Sequence, residues 1–127
     1  MRVLYPTGKQ ALLRGQIDLE TDTIKAQLVG GYTYDGAHND TNDLTGLVGS
    51  PVIVDVTDTT GGTALCADLV YNNLSGADVT GIAFYKDNTP APGTLLTYCD
   101  QRADTVPINV EPNGGDVTFT FDFLLKI

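Results

Sequence analysis

The chain has few of the residues that enzymes use for nucleophilic or acid–base chemistry. It has no tryptophan, one histidine (His38), two cysteines and two serines among 127 residues. The serines, Ser50 and Ser75, stand in VGSPV and NLSGA, and neither stretch has the pattern of a nucleophile elbow. A Ser-His-Asp triad would need one of them beside the single histidine. We therefore expect no catalytic residue, and the protein is predicted not to be an enzyme.

Long apolar runs and basic residues are also scarce. No run reaches the roughly 18 residues that cross a bilayer, and MRVLYPTGKQALLRG lacks the apolar core of a signal peptide. Seven Lys and Arg stand against 16 Asp and Glu, so the formal charge is −9. Such a protein repels nucleic-acid phosphates and gains nothing from an anionic membrane surface. We expect no direct nucleic-acid contact, no membrane partner, and synthesis in a cytoplasm.

Metal and cofactor motifs are missing from the sequence as well. Cys66 and Cys99 lie in strand-like runs without a CxxC motif, so two buried thiols are expected, with a disulfide or metal site as the alternative. The polar stretch 35–43, DGAHNDTND, is rich in oxygen ligands but lacks the spacing of a calcium loop. Turn formation explains the same residues, and a cation there stays the alternative. No cofactor is expected.

What the chain does have is a two-residue rhythm of apolar side chains, clearest in PNGGDVTFTFDFLLKI. In an extended strand, six side chains of this stretch point the same way: Val117, Phe119, Phe121, Phe123, Leu125 and Ile127. The other face would carry mostly polar side chains. This pattern predicts one long C-terminal strand that forms the spine of a sheet, shielded centrally or by an assembly neighbour.

Similar patterns recur upstream. IKAQLVG predicts a half-buried strand with Ile24 inward, PVIVDVTD and ADVTGIAFYKD predict further strands, and TALCADLVYNN predicts a single strand with Leu65 and Tyr71 on one face. Near the start, Thr7 is expected to cap a helix of about two turns that ends at Gly15. Leu12 and Leu13 would supply its apolar contact with the sheet.

The fold class follows from these elements and from Gly-rich or Pro-rich turns at 58–62, 72–78, 86–93 and 111–115. We expect an all-β protein: an antiparallel β-sandwich or jelly roll of about seven or eight strands with one short N-terminal helix. One domain should span 1–127, with residues 1–15 as the N-terminal segment and helix. Residues 30–50 should form a long loop, with a short helical turn near 42–47.

The long loop holds two tyrosines, Tyr32 and Tyr34, and tyrosine in a loop is a favoured contact residue. The alternative is that their rings cover the edge of the protein's own core. Both interpretations stay open from the sequence.

Three stretches together resemble small virion structural proteins of tailed bacteriophages. They are LYPTGKQALLRGQIDLETDTIKAQLV, VTGIAFYKD, and TLLTYCD followed by VEPNGGDVTFTFD. The resemblance is nearly end to end and is weakest over residues 35–65. It implies an accessory head protein, a capsid cement or decoration protein without catalytic residues. A head-fibre or tail component, or a carbohydrate-binding β-sandwich module, are the alternatives.

The resemblance also implies partners and a location. The partners would be the major capsid protein and copies of this chain, as a dimer or trimer, on the capsid exterior of a virion assembled in the host cytoplasm. Residues 1–6 are the one candidate for an extended arm, which offers Arg2, Leu4 and Tyr5 for contacts. Together with Tyr32 and Tyr34, these form the predicted interface. Deletion of this arm is expected to weaken attachment without unfolding the domain.

Overall fold

The chain is built almost wholly from antiparallel strands. The computed structural model describes residues 1–102, 106–121 and 124–126. Those residues form one α-helix, α1 (Pro6–Leu13), and ten strands: β1 (Arg2–Leu4), β2 (Ile24–Val29), β3 (Leu47–Val54), β4 (Val56–Asp58), β5 (Thr63–Cys66), β6 (Leu69–Tyr71), β7 (Gly81–Asn88), β8 (Ala91–Cys99), β9 (Val117–Phe119) and β10 (Leu125–Lys126). The all-β antiparallel prediction with one short N-terminal helix is confirmed, whereas a jelly-roll topology is not.

The strands form three sheets. The largest has the order β1-β8-β7-β2-β3, a second has the order β10-β5-β4, and β6 pairs with β9. The described strands outnumber the predicted seven or eight because three stretches predicted as single strands are divided and because residues 2–4 form an additional strand, β1. PVIVDVTD is divided into β3 and β4, and the C-terminal stretch into β9 and β10. TALCADLVYNN separates into β5 and β6 around Ala67 and Asp68, with Ala64 rather than Leu65 buried.

The five-stranded sheet is covered on both faces. On one face, Ile82 and Phe84 join a large cluster with residues of the two smaller sheets, among them Leu69 and Leu125. On the other face, Ala83 joins a second cluster that includes residues of the long loop. The expectation that β2 is half-buried is therefore wrong, because this strand has a neighbour on each side and its sheet is covered on both faces.

The second layer on that face is the segment from residue 30 to residue 46. Tyr32 and Leu44 pack there against the sheet, and the backbone N–H of Leu95 donates to the carbonyl of Asn39 at 3.1 Å. A 3₁₀ turn at Thr41–Asp43 matches the expected helical turn in kind but lies slightly earlier. The loop also ends sooner than predicted, because β3 begins at Leu47.

β3 is the outer strand of its sheet and is bulged opposite Gln27 of β2. The pairing passes from Ala26–Val52 to Leu28–Val48, which leaves three residues of β3, Gly49 to Pro51, facing one residue of β2. The buried Gln27 side chain donates from Nε2 to the carbonyls of Val48 (3.3 Å) and Gly49 (3.2 Å). The amide therefore satisfies backbone acceptors that the bulge removes from the ladder.

The C-terminal stretch is not the predicted spine. β9 and β10 belong to different small sheets, and each is short. Leu124 and Leu125 are both buried, which breaks the two-residue alternation. Val117, Phe119 and Phe121 still pack partly against the core. Phe123 and Ile127 lie outside the described residues.

The N-terminal residues also differ from the prediction of a free arm. β1 pairs with β8, and Tyr5 is fully buried. Deleting residues 1–6 would remove a sheet strand and a core ring, so the structure argues against the expectation that such a deletion leaves the domain folded.

The helix begins two residues earlier than expected, with Pro6 in its first turn and Tyr5 as N-cap, so Thr7 does not cap it. Its end matches the prediction. Gly15 has φ +69°, its N–H donates to the Leu12 carbonyl, and the N–H of Gln16 donates to the Ala11 carbonyl. These two bonds form a Schellman motif.

The face that α1 buries is made of small residues. Gly8 and Ala11 are buried against β8, whereas Leu13 is 89% exposed, so the predicted inward contact of Leu13 is wrong. Within the described residues, no helix has the length and apolar character that crossing a bilayer requires.

Candidate functional site: an apolar groove with a basic rim

A groove of about 560 Å³ lies where β1, α1 and β10 meet. Its walls are mainly aliphatic and its rim carries positive charge. The lining residues are Arg2, Val3, Leu4, Lys9, Leu12, Leu13, Thr97, Leu124, Leu125 and Lys126. None of these lining residues is Ser, Cys, His, Asp or Glu.

The groove forms because two sheets end beside each other. β1 is the outer strand of the five-stranded sheet, and β10 is the outer strand of the three-stranded sheet. The helix sits close to β8 through Gly8 and Ala11, which places Leu12 and Leu13 on the groove side. The 89% exposure of Leu13 shows that no described part of the chain covers this wall.

The backbone of β1 offers a strand edge to the same groove. The backbone N–H of Asp100 donates to the carbonyl of Met1 at 3.0 Å, and the backbone N–H of Tyr5 donates to the carbonyl of Leu96 at 2.9 Å. In an antiparallel pair such bonds fall on alternate residues. Leu4, which pairs with Thr97, therefore directs its N–H and C=O away from β8.

The charges around the groove have one sign. Arg2, Lys9 and Lys126 are three of the seven basic residues of the chain, and none of the 16 acidic residues is among the described lining residues. Lys9 is exposed and forms no ion pair with any side chain in the part of the chain that the structure describes. In a chain of net charge −9, the described charged residues that line this groove are thus all basic.

The predicted interface residues divide between this groove and the core. Arg2 and Leu4 line the groove, and their predicted contact role stays a prediction. Tyr5 is fully buried and Tyr32 is 6% exposed, so the prediction that they offer contact surface is wrong for the isolated chain. Tyr34 is half-buried, with its ring centroid 5.0 Å from that of Tyr5.

The tyrosines instead form a hydrogen-bonded cluster beneath the long loop. The hydroxyls of Tyr5 and Tyr32 are 3.0 Å apart, and the Tyr32 hydroxyl is 2.5 Å from Nδ1 of His38. Burial raises the pKa of Tyr5 well above its usual range and also raises the pKa of Tyr32. The single histidine therefore holds Tyr32 from within the loop, and Tyr32 in turn contacts Tyr5.

The acidic residues of the same loop are engaged in turns. The Asp43 carboxylate accepts from the backbone N–H groups of Asn39 (2.8 Å) and Asp40 (3.3 Å), and Asp35 accepts from that of Ala37. These N–H groups hold the pKa of Asp43 below its usual value. Among the residues with described positions, no group of three His, Cys, Asp or Glu side chains is placed to hold a metal ion.

The two cysteines are free thiols. Cys99 is buried, and its Sγ donates to the carbonyl of Gln101 at 3.0 Å. Cys66 is half-buried, and burial raises the pKa of its thiol. The prediction of two buried thiols is thus confirmed for Cys99 and partly for Cys66, and the disulfide alternative is wrong.

Sequence reasoning missed most of the groove. The available signal was the pair of leucine doublets, Leu12–Leu13 and Leu124–Leu125, each flanked by lysine or arginine. A doublet in a strand points to both faces of a sheet, which contradicts a simple inward and outward alternation. The groove itself depends on bringing together segments from opposite ends of the chain.

Comparison with known proteins adds no relative to this description. No protein-family model, no curated protein and no solved structure matches the chain.

Proposed function

We propose that this protein is a structural component of a tailed-bacteriophage virion, a capsid cement or decoration protein that binds neighbouring major-capsid subunits and stabilises the head. The observation that carries the proposal is an apolar groove that no described part of the chain covers and whose charged lining residues, as far as the structure describes them, are all basic in a chain of net charge −9. Exposed apolar surface with a charged rim is typical of protein–protein contact sites. The resemblance of three sequence stretches to phage virion proteins supports the choice of partner.

The fold suits a protein that ties other subunits together. A five-stranded sheet covered on both faces is a rigid body, so force applied at one surface reaches another without local unfolding. Weak contacts that repeat over a shell add up, because binding at one contact raises the effective concentration at the next. A high affinity at each groove is therefore not required.

Self-association has a second candidate surface. β3 is the outer strand opposite β1, and it carries two exposed apolar side chains, Leu47 (59% exposed) and Ile53 (69%). Such an edge supports the proposed dimer or trimer. The charge of −9 suits the proposed capsid exterior, away from packaged nucleic acid.

The carbohydrate-binding alternative has less support. Sugar-binding modules use exposed aromatic platforms, but five of the six tyrosines are buried and Tyr34 is half-buried. The described phenylalanines are likewise buried or half-buried. This placement favours a contact surface made of aliphatic and basic side chains. The proposal accordingly assigns neither a catalytic role nor a cofactor to the protein.

The molar ratio of this protein to the major shell protein in purified particles tests the proposal. We expect a fixed ratio of many copies per head, retained in heads that lack tails. A few copies per particle that disappear with the tail or with head fibres would instead support one of those structures. Absence from washed particles would contradict a virion role altogether.

A further inference from the structure

Three independent features meet in the groove between β1, α1 and β10: aliphatic walls, basic side chains among the described lining residues, and the outer backbone edge of β1 at Leu4. Each restricts what can occupy the groove. Aliphatic walls require apolar groups, the rim requires anions, and a strand edge requires an extended backbone. A polypeptide segment satisfies all three requirements together.

The aliphatic walls come from three elements. Leu4 of β1, Leu12 and Leu13 of α1, and Leu125 of β10 all line the groove. Leu125 is 4% exposed and forms part of the base, whereas Leu13 is 89% exposed and stands at the opening. An occupant that reaches the base therefore also covers the most exposed large apolar side chain among the described residues.

The rim selects the sign of the occupant's charge. Lys9 lies on α1 and Lys126 on β10, so cations stand on two different elements, with Arg2 on β1. Carboxylates on an occupant would meet positive charge along the groove, whereas lysine or arginine would be repelled. Complementarity of this kind steers association and excludes partners of the wrong sign.

The strand edge selects the occupant's conformation. Leu4 directs its N–H and C=O away from β8, and the adjacent side-chain walls keep the approach apolar. An extended segment laid along this edge would pair its backbone with Leu4 and place alternate side chains toward the leucines. This is the strand-addition mode of peptide recognition.

We propose that the groove binds an extended segment of the major capsid protein in which apolar side chains alternate with carboxylates, added as a strand along β1. The capsid as the source rests on the function proposed above. The chemistry of the segment rests on the groove alone.

The test uses two labelled eight-residue peptides on the full chain, one alternating leucine with glutamate and one alternating leucine with lysine. Fluorescence anisotropy gives affinities, and amide chemical shifts locate the contact. We expect saturable binding of the glutamate peptide that weakens with salt, with shifts centred on Arg2–Leu4 and Lys9–Leu13. The lysine peptide should bind at least tenfold more weakly. Methylating the backbone nitrogens of the glutamate peptide should abolish binding, because pairing with β1 needs them.

Matched variants separate the groove from general effects. Leu13→Asp should weaken binding of the glutamate peptide at least tenfold, whereas Val70→Asp changes an exposed apolar side chain of β6 outside the groove and should not. Lys9→Glu should weaken binding severalfold, and Arg14→Glu makes the same charge change just beyond α1 without touching the groove. All four positions are exposed, so folding should survive each change.

Several results would overturn the proposal. Equal binding of both peptides, or shifts confined to another surface, would remove the charge and location arguments. A dimer in light scattering that Leu13→Asp converts to monomer would assign the groove to a second copy of the chain. Leu13-dependent binding to phosphatidylglycerol vesicles would assign it to lipid.

The inference and the proposed function fail separately. A protein abundant on particles that ignores the glutamate peptide would leave the virion role intact and refute the groove chemistry. A protein that binds the peptide through Leu13 but is absent from particles would refute the capsid as the source.

Discussion

Replacing Gly8 by alanine should destabilise the protein, although the same change stabilises most helices. Gly8 lies in α1 where the helix touches the backbone of β8. A Cβ atom built there would lie 2.7 Å from the Leu96 carbonyl oxygen, 2.8 Å from the Leu96 Cα and 2.9 Å from the Leu95 carbonyl oxygen. All three neighbours are backbone atoms of a buried strand, so they cannot rotate away.

Two opposing effects set the magnitude. Alanine in place of glycine inside a helix stabilises by about 1 kcal/mol through propensity alone. Overpacking against a fixed neighbour costs about 1–3 kcal/mol, and three backbone overlaps place Gly8 at the upper end of that range. The net expectation is that Gly8→Ala lowers the free energy of unfolding by about 2 kcal/mol. It should also weaken peptide binding, because α1 carries one wall of the groove.

Urea denaturation followed by far-UV circular dichroism measures this change, with an unchanged m-value confirming a pure stability effect. Gln10→Ala is the control, since Gln10 is exposed on the same helix and should change stability by no more than about 0.5 kcal/mol. If Gly8→Ala instead raised the urea midpoint, propensity would dominate and the close seating of α1 on β8 would be refuted.

Three further predictions concern the core. Gln27→Leu should lower the free energy of unfolding by about 1–3 kcal/mol, because the bulged carbonyls of β3 lose their donor; an unchanged urea midpoint would contradict this role. Phe121→Ala should cost about 2–3 kcal/mol, less than a fully buried phenylalanine, since its ring is half-buried and meets Phe84 edge-on at 5.6 Å; a loss below about 0.5 kcal/mol would place this ring outside the core. Burial raises the pKa of Tyr98 to about 12 and that of Tyr5 further. Because a tyrosine in the unfolded chain has a pKa of about 10, the contribution of these buried rings to the free energy of unfolding should be full below that pH. It should fall as the pH rises toward their pKa values in the folded protein. The ultraviolet absorbance of ionised tyrosine should then rise together with the loss of circular dichroism. Ionisation of every tyrosine at about pH 10 in a protein that is still folded would contradict this prediction.

The central sheet was predictable because its strands carry strong local signals. β2 and β7 are apolar, rich in β-branched and aromatic residues, and bounded by turns. The burial of both their faces was harder to infer, since Lys25 and Gln27 suggested an exposed side. The Gln27 amide is buried because it satisfies the bulge in β3, and a tertiary contact of that kind leaves no local signal.

The divisions of predicted strands had no clear marker. Between β5 and β6 the chain passes from one sheet to another at Ala67 and Asp68 without glycine or proline, so the sequence shows no break in the alternation. At the C-terminal end, Leu124 and Leu125 are both buried because they pack into one core cluster to which several sheets contribute residues. Periodicity reports which residues can be buried, whereas sheet membership is decided by packing.

The structure places the predicted interface residues in two different surroundings. Arg2 and Leu4 line the groove, but as parts of a sheet strand and not of an arm. For the loop tyrosines the sequence leaves contact and core cover open, and Tyr32 covers the core. The groove could not be found from sequence, because it joins residues from the first and last parts of the chain.

The most direct test of the central claim is the occupancy of phage heads by the wild type and by two variants. Heads prepared without this protein would be titrated with each form, sedimented, and analysed for bound copies per shell subunit. We predict that wild type and Val70→Asp occupy the heads equally at each concentration, while Leu13→Asp needs at least a tenfold higher concentration to reach half-occupancy. Equal occupancy by Leu13→Asp, or no binding by the wild type, would contradict the claim that this groove attaches the protein to a capsid.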